Sequence, residues 1–335
     1  MANSRIPGPL GLGIPRLLFL ENMPGRIRQS GFSCTRDTPG PVGVNDWASF
    51  IARFAPRSTA APQSSPTYQC ACDRDLTLTE LCAVYSHQKK ARCEAFLPHL
   101  NATFRSYGIK SCLRKAHFLA QVGHESGELR YVAEVLPKGK KEADVYDGYK
   151  GRGLIQTTYK RNYEAYGNAV KHDFTGDHRV DLEEPKWAAD SAGFYWTTGA
   201  KTDLNALAGK NDLLAVTVRV NGGFNGFSDR ASLLAAGLKA LRVRECGTTK
   251  IGDDKYLAFE KSAIYSEKAA AFAWGAWNDP EAKKEGINPK SATDKRAGYK
   301  RYVELREAEN WSAKAKARYG FKLAKMDELA KAGAK

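Results

Sequence analysis

Two glutamates in one short stretch, Glu125 and Glu134, have the chemistry for paired-carboxyl catalysis. One carboxyl group held protonated can give its proton to a leaving oxygen, while an ionised partner activates water or attacks carbon. Glu125 ends a largely apolar segment, AHFLAQVGHE, where burial disfavours the charged form and suits a proton donor. Glu134 follows nine residues later. At about 100° per residue, an unbroken helix would put the two carboxylates on opposite faces. They can share a cleft only if the helix stops between them, and Ser126 and Gly127 suit a stop. Residues 129–135 can then return as extended chain. Glu128, Glu142, Asp144 and Asp147 compete for the place of the second acid.

The elements that must position these groups are mostly helical. Leu78, Leu81, Cys82 and Tyr85 share one helix face, with Thr77 or Thr79 as cap. Cys93, Phe96, Leu97, Leu100 and Phe104 repeat the pattern in a second helix that stops near Gly108. A third, over 113–123, delivers His124 and Glu125. Further helices are expected over 159–170, 185–198 and 230–241, with Trp187 and Trp196 in the core. Residues 129–135 and 153–158 are the best short strands, and 139–150 reads as a polar loop. Two helices, 255–277 and 295–329, are expected in an Ala/Lys-rich tail whose Phe272, Trp274, Trp277 and Trp311 must pack somewhere. Residues 1–74 differ: recurrent Pro and Gly and the run RSTAAPQSSP give turns and extended chain. Trp47, Phe50, Ile51 and Phe54 fit one short amphipathic turn. Three regions follow: 1–74, a Pro/Gly-rich leader and docking segment; 75–245, the catalytic domain; and 246–335, a basic helical extension.

Composition narrows the classes. No apolar run is long enough to span a membrane, and Pro and Gly interrupt the N-terminus too often for a secretory signal. Net charge of +15 predicts attraction to a polyanion, but basic and acidic residues alternate and no nucleic-acid motif is present. Seven cysteines allow one or two disulfides in an oxidising compartment and leave at least one thiol unpaired. Cys70-Ala71-Cys72 lacks the two-residue spacer of zinc knuckles, so no metal or cofactor is expected, and Cys82 and Cys93 read as buried thiols. HESGE is not the His-Glu-x-x-His zinc motif, so His124 reads as a packed helix-end imidazole. Gly151 and Gly153 read as turn formers, because no Lys-Ser/Thr follows them.

The ordered run GHESGELRYVAE, YKGRGLIQTTYKRNY, VNGGFNG and Asp229-Arg230 resembles the family 19 glycoside hydrolases, over about residues 76–242. The resemblance implies a mainly α, lysozyme-like α+β fold: two helical lobes with a small β element at the cleft. It implies Glu125 as general acid, Glu134 as general base and Thr158 as the group orienting water, without a cofactor. Gln156, Tyr163, Asn221 and Tyr149 would bind sugar. His124, Arg152, Asn162 and Arg230 would support the site, the two arginines bracing the carboxylates and the cleft. The family inverts the anomeric centre, which needs roughly 6.5–9.5 Å between the carboxylates. The interval between Glu134 and the Gly-Arg-Gly turn is shorter than in plant chitinases, so a broad groove is expected. Lys138, Lys140 and Lys141 favour peptidoglycan, a GlcNAc/MurNAc polymer bearing peptide carboxylates, over neutral chitin.

The leading expectation is therefore a muramidase-like enzyme. The leader, whose SRIPGPL and GPVG are similar to segments of type VI secretion effectors, suggests an antibacterial toxin. It would be made in the cytoplasm, exported by a carrier and active in a target periplasm, with a cognate immunity protein blocking the cleft. A phage endolysin or a chitinase is the alternative. A family 19 fold that only holds glycan or a partner is the reading from another class.

Overall fold

A computed structural model describes residues 69–200, 202–252, 255–309 and 318–335. Most of the expected leader, with Cys34 and the Trp47–Phe54 turn, lies outside these residues, as does Trp311. The described chain is mainly α-helical. Its helices are α1 (Leu78–Val84), α2 (Lys90–Ser106), α3 (Cys112–Ser126), α4 (Lys160–Val170), α5 (Pro185–Phe194), α6 (Leu204–Ala208), α7 (Leu213–Asn221), α8 (Phe227–Ala240), α9 (Lys268–Asn278), α10 (Ala292–Ala308) and α11 (Leu323–Gly333). None is long and apolar enough to cross a membrane.

Local chemistry explains the boundaries. Thr77 caps α1 in a reciprocal box with Glu80. Ser111 caps α3, accepting from Arg114 N. At its other end α3 stops where expected: Gly127 takes a left-handed conformation, with φ 56 and ψ 53. Ser126 Oγ donates to Val122 O and accepts from Leu129 N, while Tyr131 N donates to Ser126 O. The chain is thereby turned back on itself.

Two expected helices are broken. The one over 255–277 gives way to short 3-10 turns before α9. There Ser262 Oγ and Ala263 N both donate to the carboxylate of Asp212, the cap of α7. This tertiary contact overrides helical continuity. The segment over 295–329 becomes α10 and α11. The expected strands shrink to isolated antiparallel bridges, Ala133 with Arg152 and Arg152 with Thr157.

Among the described residues the interior falls into two clusters of unequal size. The large one runs from Ala71 to Ala330 and surrounds α3, which packs on α8. The tail shares it: Trp274 and Trp277 lie against Phe224, and Phe272 against Tyr299 and Tyr302. The small cluster gathers Tyr149, Tyr163, Tyr166, Phe174 and Leu182, with Trp187 at its edge. Trp196 is fully buried in the large cluster, as expected for a core residue. The bridged ribbon at 133–157 leaves the end of α3 and leads into the small cluster.

Candidate active site

Glu125 sits on the last turn of α3 with only 4% of its surface exposed. Its Oε1 accepts from Arg230 Nη2 at 2.5 Å. Arg230, on α8 and fully buried, also donates through Nη1 to Gln121 Oε1 at 2.6 Å. Gln121 lies four residues before Glu125 on the same face of α3. The second carboxylate oxygen, Oε2, is buried and has no hydrogen-bond partner among the described residues. The apolar surroundings expected of Glu125 therefore hold for one oxygen only. Because Oε1 is committed as an acceptor to Arg230, a proton carried by this group belongs on Oε2.

His124 supports the same corner. Its Nδ1 stands 2.8 Å from Asp229 Oδ2, and since a carboxylate only accepts, Nδ1 carries the hydrogen. Burial, with Arg230 nearby, pushes its pKa below the ordinary range, so the ring is neutral. A Cβ on Gly226 would lie 2.0 Å from the His124 ring, and Gly226 is left-handed at φ 67. Only glycine lets the Asn221–Gly226 loop approach so closely. Tyr195, on a π-helical turn after α5, has its hydroxyl pKa raised by burial and by the charge of Glu125.

Glu134 is held differently. Its backbone N–H donates to Gly151 O at 2.8 Å, and its Oε2 accepts from Gly151 N at 3.0 Å. It is half-buried. A Cβ on Gly151 would meet Gln156 Oε1 at 2.7 Å and Thr158 Oγ1 at 3.4 Å. The Glu134 carboxylate, the Gln156 amide and the Thr158 hydroxyl thus surround one glycine. Thr158 donates to Gln156 O, and Asn162 Nδ2 donates to Thr158 O. Tyr146 flanks the group: burial and the Glu134 charge raise its hydroxyl pKa, and its ring packs edge-on to Tyr159 at 5.0 Å.

Three of the four competing acids have other work. Glu128 accepts from His87 N and pairs with its ring. Glu142 pairs with Arg152 and Lys150. Asp144 accepts from Lys141 N across a short 3-10 turn.

Three expectations need correction. Tyr163 is fully buried, donating to Lys150 O and accepting from Arg152, so it offers no face to a sugar. Tyr149 is buried against Tyr163, with Arg179 over its ring. Arg152 braces neither candidate acid. It is bound by Glu142, Glu183 and Tyr163, and so secures the ribbon from behind. Gln156 is buried, with Nε2 donating to Gly153 O. Asn221 remains partly exposed, its Oδ1 accepting from Asn225 N. Sequence reasoning missed Gln121, although its spacing from Glu125 within an apolar helix was a usable signal. Nothing in the sequence marked Tyr195 or Tyr146.

No family model matches the chain. A glycosyl hydrolase family 19 domain-containing protein of Haemophilus influenzae is 27% identical over 196 residues, which are 46% of this chain and 90% of that protein. Endochitinase CHI of Arabidopsis thaliana is 25% identical over 127 residues, 34% of this chain and 46% of that enzyme. Chitinase C of Streptomyces griseus superposes with a TM-score of 0.42 at 20% identity, over 54% of this chain and 79% of that one. The chain is thus similar to family 19 glycosyl hydrolases over nearly half its length, and the resemblance seen in its motifs is borne out.

Proposed function

We propose that this chain hydrolyses the glycan strands of peptidoglycan by an inverting, two-carboxylate mechanism. The observation that carries the reading is the Glu125 carboxyl group, buried with one oxygen clamped by Arg230 and the other unpartnered among the described residues. The Glu125 carboxyl group gives its proton to the glycosidic oxygen. Glu134, steadied by Gly151 N, takes a proton from water that Thr158 Oγ1 orients, and that water attacks the anomeric carbon from the opposite face. The exposed Lys138, Lys140 and Lys141 between Glu134 and the turn, and the net charge of +15, support a substrate bearing carboxylates.

The test is clearing of purified peptidoglycan by wild type and Glu125→Gln. Loss of clearing in the variant is expected; equal clearing by both, or none by either, overturns the reading. Mass spectrometry of the released muropeptides identifies the bond, because a muramidase leaves MurNAc at the reducing end. Chitin hydrolysis is the second reading, supported by matches to proteins named as chitinases. Colloidal chitin in the same assay separates the two. We extend the proposal to an antibacterial effector that acts in a target periplasm and is blocked in its producer by an immunity protein over the cleft.

A further inference from the structure

Four cysteines from three separate stretches of the sequence meet at the end of α3 opposite Glu125. The Sγ atoms of Cys70, Cys72, Cys112 and Cys246 all lie within 4.8 Å of one another. Cys246 is shared, with its sulfur 2.7 Å from that of Cys70 and 3.5 Å from that of Cys72. Cys70 and Cys72 come from the turn before α1, Cys112 from the first residue of α3, and Cys246 from the turn after α8. We infer that these four thiols form a tetrathiolate site for one structural zinc ion.

A tetrahedral zinc with sulfur ligands at about 2.3 Å places its sulfurs about 3.8 Å apart along every edge. The 3.5 Å between Cys72 and Cys246 and the 4.8 Å that bounds every pair bracket that edge, while the 2.7 Å between Cys70 and Cys246 lies below it yet is well beyond the roughly 2.0 Å of an S–S bond. The surrounding donors also suit thiolates. Cys112 N–H donates to Cys72 Sγ at 3.1 Å. The Thr248 hydroxyl lies 3.3 Å from Cys246 Sγ, and the Thr249 hydroxyl 3.8 Å from Cys72 Sγ. Hydrogen bonds of this kind orient and stabilise metal-bound sulfur. Cys112 also occupies the N-terminus of α3, where the helix favours a negative charge.

Charge completes the case. Four thiols that bind Zn²⁺ release four protons to solvent and leave a site of net charge −2. Lys115, one turn along α3, is buried at 2% exposure and donates to the carbonyls of Ala71 and Arg74. Its ammonium sits beside the ligand turn that it clamps. The one-residue spacer of Cys70-Ala71-Cys72 works here because the turn is tight: Asp73 is left-handed at φ 51, and its N–H donates to Lys110 O. The ion would join three segments, the turn before α1, the start of α3 and the turn that leads into the tail.

The full chain, purified without chelator, should contain one zinc per molecule by inductively coupled plasma mass spectrometry. Titration with a mercurial should release that zinc in step with four thiols, read with a chromogenic indicator. Cobalt exchanged into the same protein should give the intense visible bands and the sulfur-to-metal charge transfer of a tetrahedral thiolate site. Cys112→Ser and Cys246→Ser should each lower bound zinc at least tenfold, whereas Cys93→Ser, outside the cluster, should keep it. Because the cluster variants can fail to fold, the wild-type measurements decide. Metal-free protein whose mass is lower by two hydrogens per bridge, with these cysteines resistant to alkylation until reduced, would overturn the zinc site in favour of disulfides. Metal-free protein with four reactive thiols would overturn it equally.

Discussion

The two candidate acids are built in opposite ways. Glu125 lies inside the large core, on a helix, with a buried guanidinium on one oxygen and Gln121 behind that guanidinium. Glu134 lies on an irregular ribbon, half-buried, with only backbone N–H of Gly151 on its carboxylate among the contacts described. The acid side is fixed by packing and charge. The other side carries backbone strain: Tyr146, Asp147, Gln156 and Tyr159 all have positive φ, between 52 and 71. Such non-glycine residues cost about 1–3 kcal/mol each and persist where the surroundings demand them. The difference fits the proposed roles. A proton donor gains from exclusion of water, whereas a base must leave room for the water it activates.

The sharpest test of this contrast is a pair of isosteric variants. Glu125→Gln should lower kcat by about 10²–10⁴-fold, the usual range for loss of a general acid or base. Glu134→Gln should fall in the same range, but its unfolding midpoint should match wild type, because an amide oxygen can still accept from Gly151 N. If Glu134→Gln clears peptidoglycan at the wild-type rate, the second acid is elsewhere and the contrast is lost.

Arg230→Ala probes the acid side alone. It strips Glu125 of its cation and opens a cavity between α3 and α8. Breaking a buried ion pair in this way costs about 3–5 kcal/mol, which chemical denaturation measures directly. No residue on the ribbon side should approach this figure through its contact with Glu134. A loss below about 1 kcal/mol would show that the buried pair does not organise the site.

The acid side is legible in the sequence for a physical reason. Helical periodicity and a Ser-Gly stop are local signals, so the end of α3 and the placing of Glu125 follow from neighbouring residues alone. The choice among Glu128, Glu134, Glu142, Asp144 and Asp147 does not, because it rests on partners far away in sequence, such as His87 for Glu128. Tyr163 was misread for a related cause. A motif gives its position but not its burial, and its hydroxyl is spent on Lys150 and Arg152. The broken helix before α9 and the gathering of Cys70, Cys72, Cys112 and Cys246 are likewise long-range facts. No spacing rule reaches from residue 72 to residue 246.

Acid should weaken α3 before it weakens the ribbon. His117, wholly buried on α3, donates from Nε2 to Asn211 Oδ1 at 2.9 Å, and its Nδ1 has no partner among the described residues. Burial lowers its pKa from 6.5 to about 4. The unfolded chain therefore binds a proton that the folded chain refuses between those values. Stability rises with pH in this window and falls as pH drops from about 6.5 towards 4. At roughly 1.4 kcal/mol per unit of pKa the loss is about 3 kcal/mol. Urea unfolding at pH 7, 5.5 and 4.5 measures it, and His117→Gln should flatten the slope. An unchanged slope in that variant would assign the acid sensitivity to other groups, His124 first among them.

The smallest effect should come from Tyr146, and it tests the openness of the ribbon side most closely. Its ring is held edge-on to Tyr159, and its hydroxyl feels the Glu134 charge. Burial and that charge both keep the phenol protonated, so it can donate to a substrate or to the attacking water. Tyr146→Phe keeps the ring contact and removes only the donor. If the hydroxyl binds sugar equally in the ground state and the transition state, KM rises about fivefold and kcat is unchanged, the size of one neutral hydrogen bond of about 1 kcal/mol. A fall in kcat at constant KM would instead place the phenol on the water. The ribbon side would then be as tightly organised around chemistry as the α3 side, and the contrast between them would have to be given up.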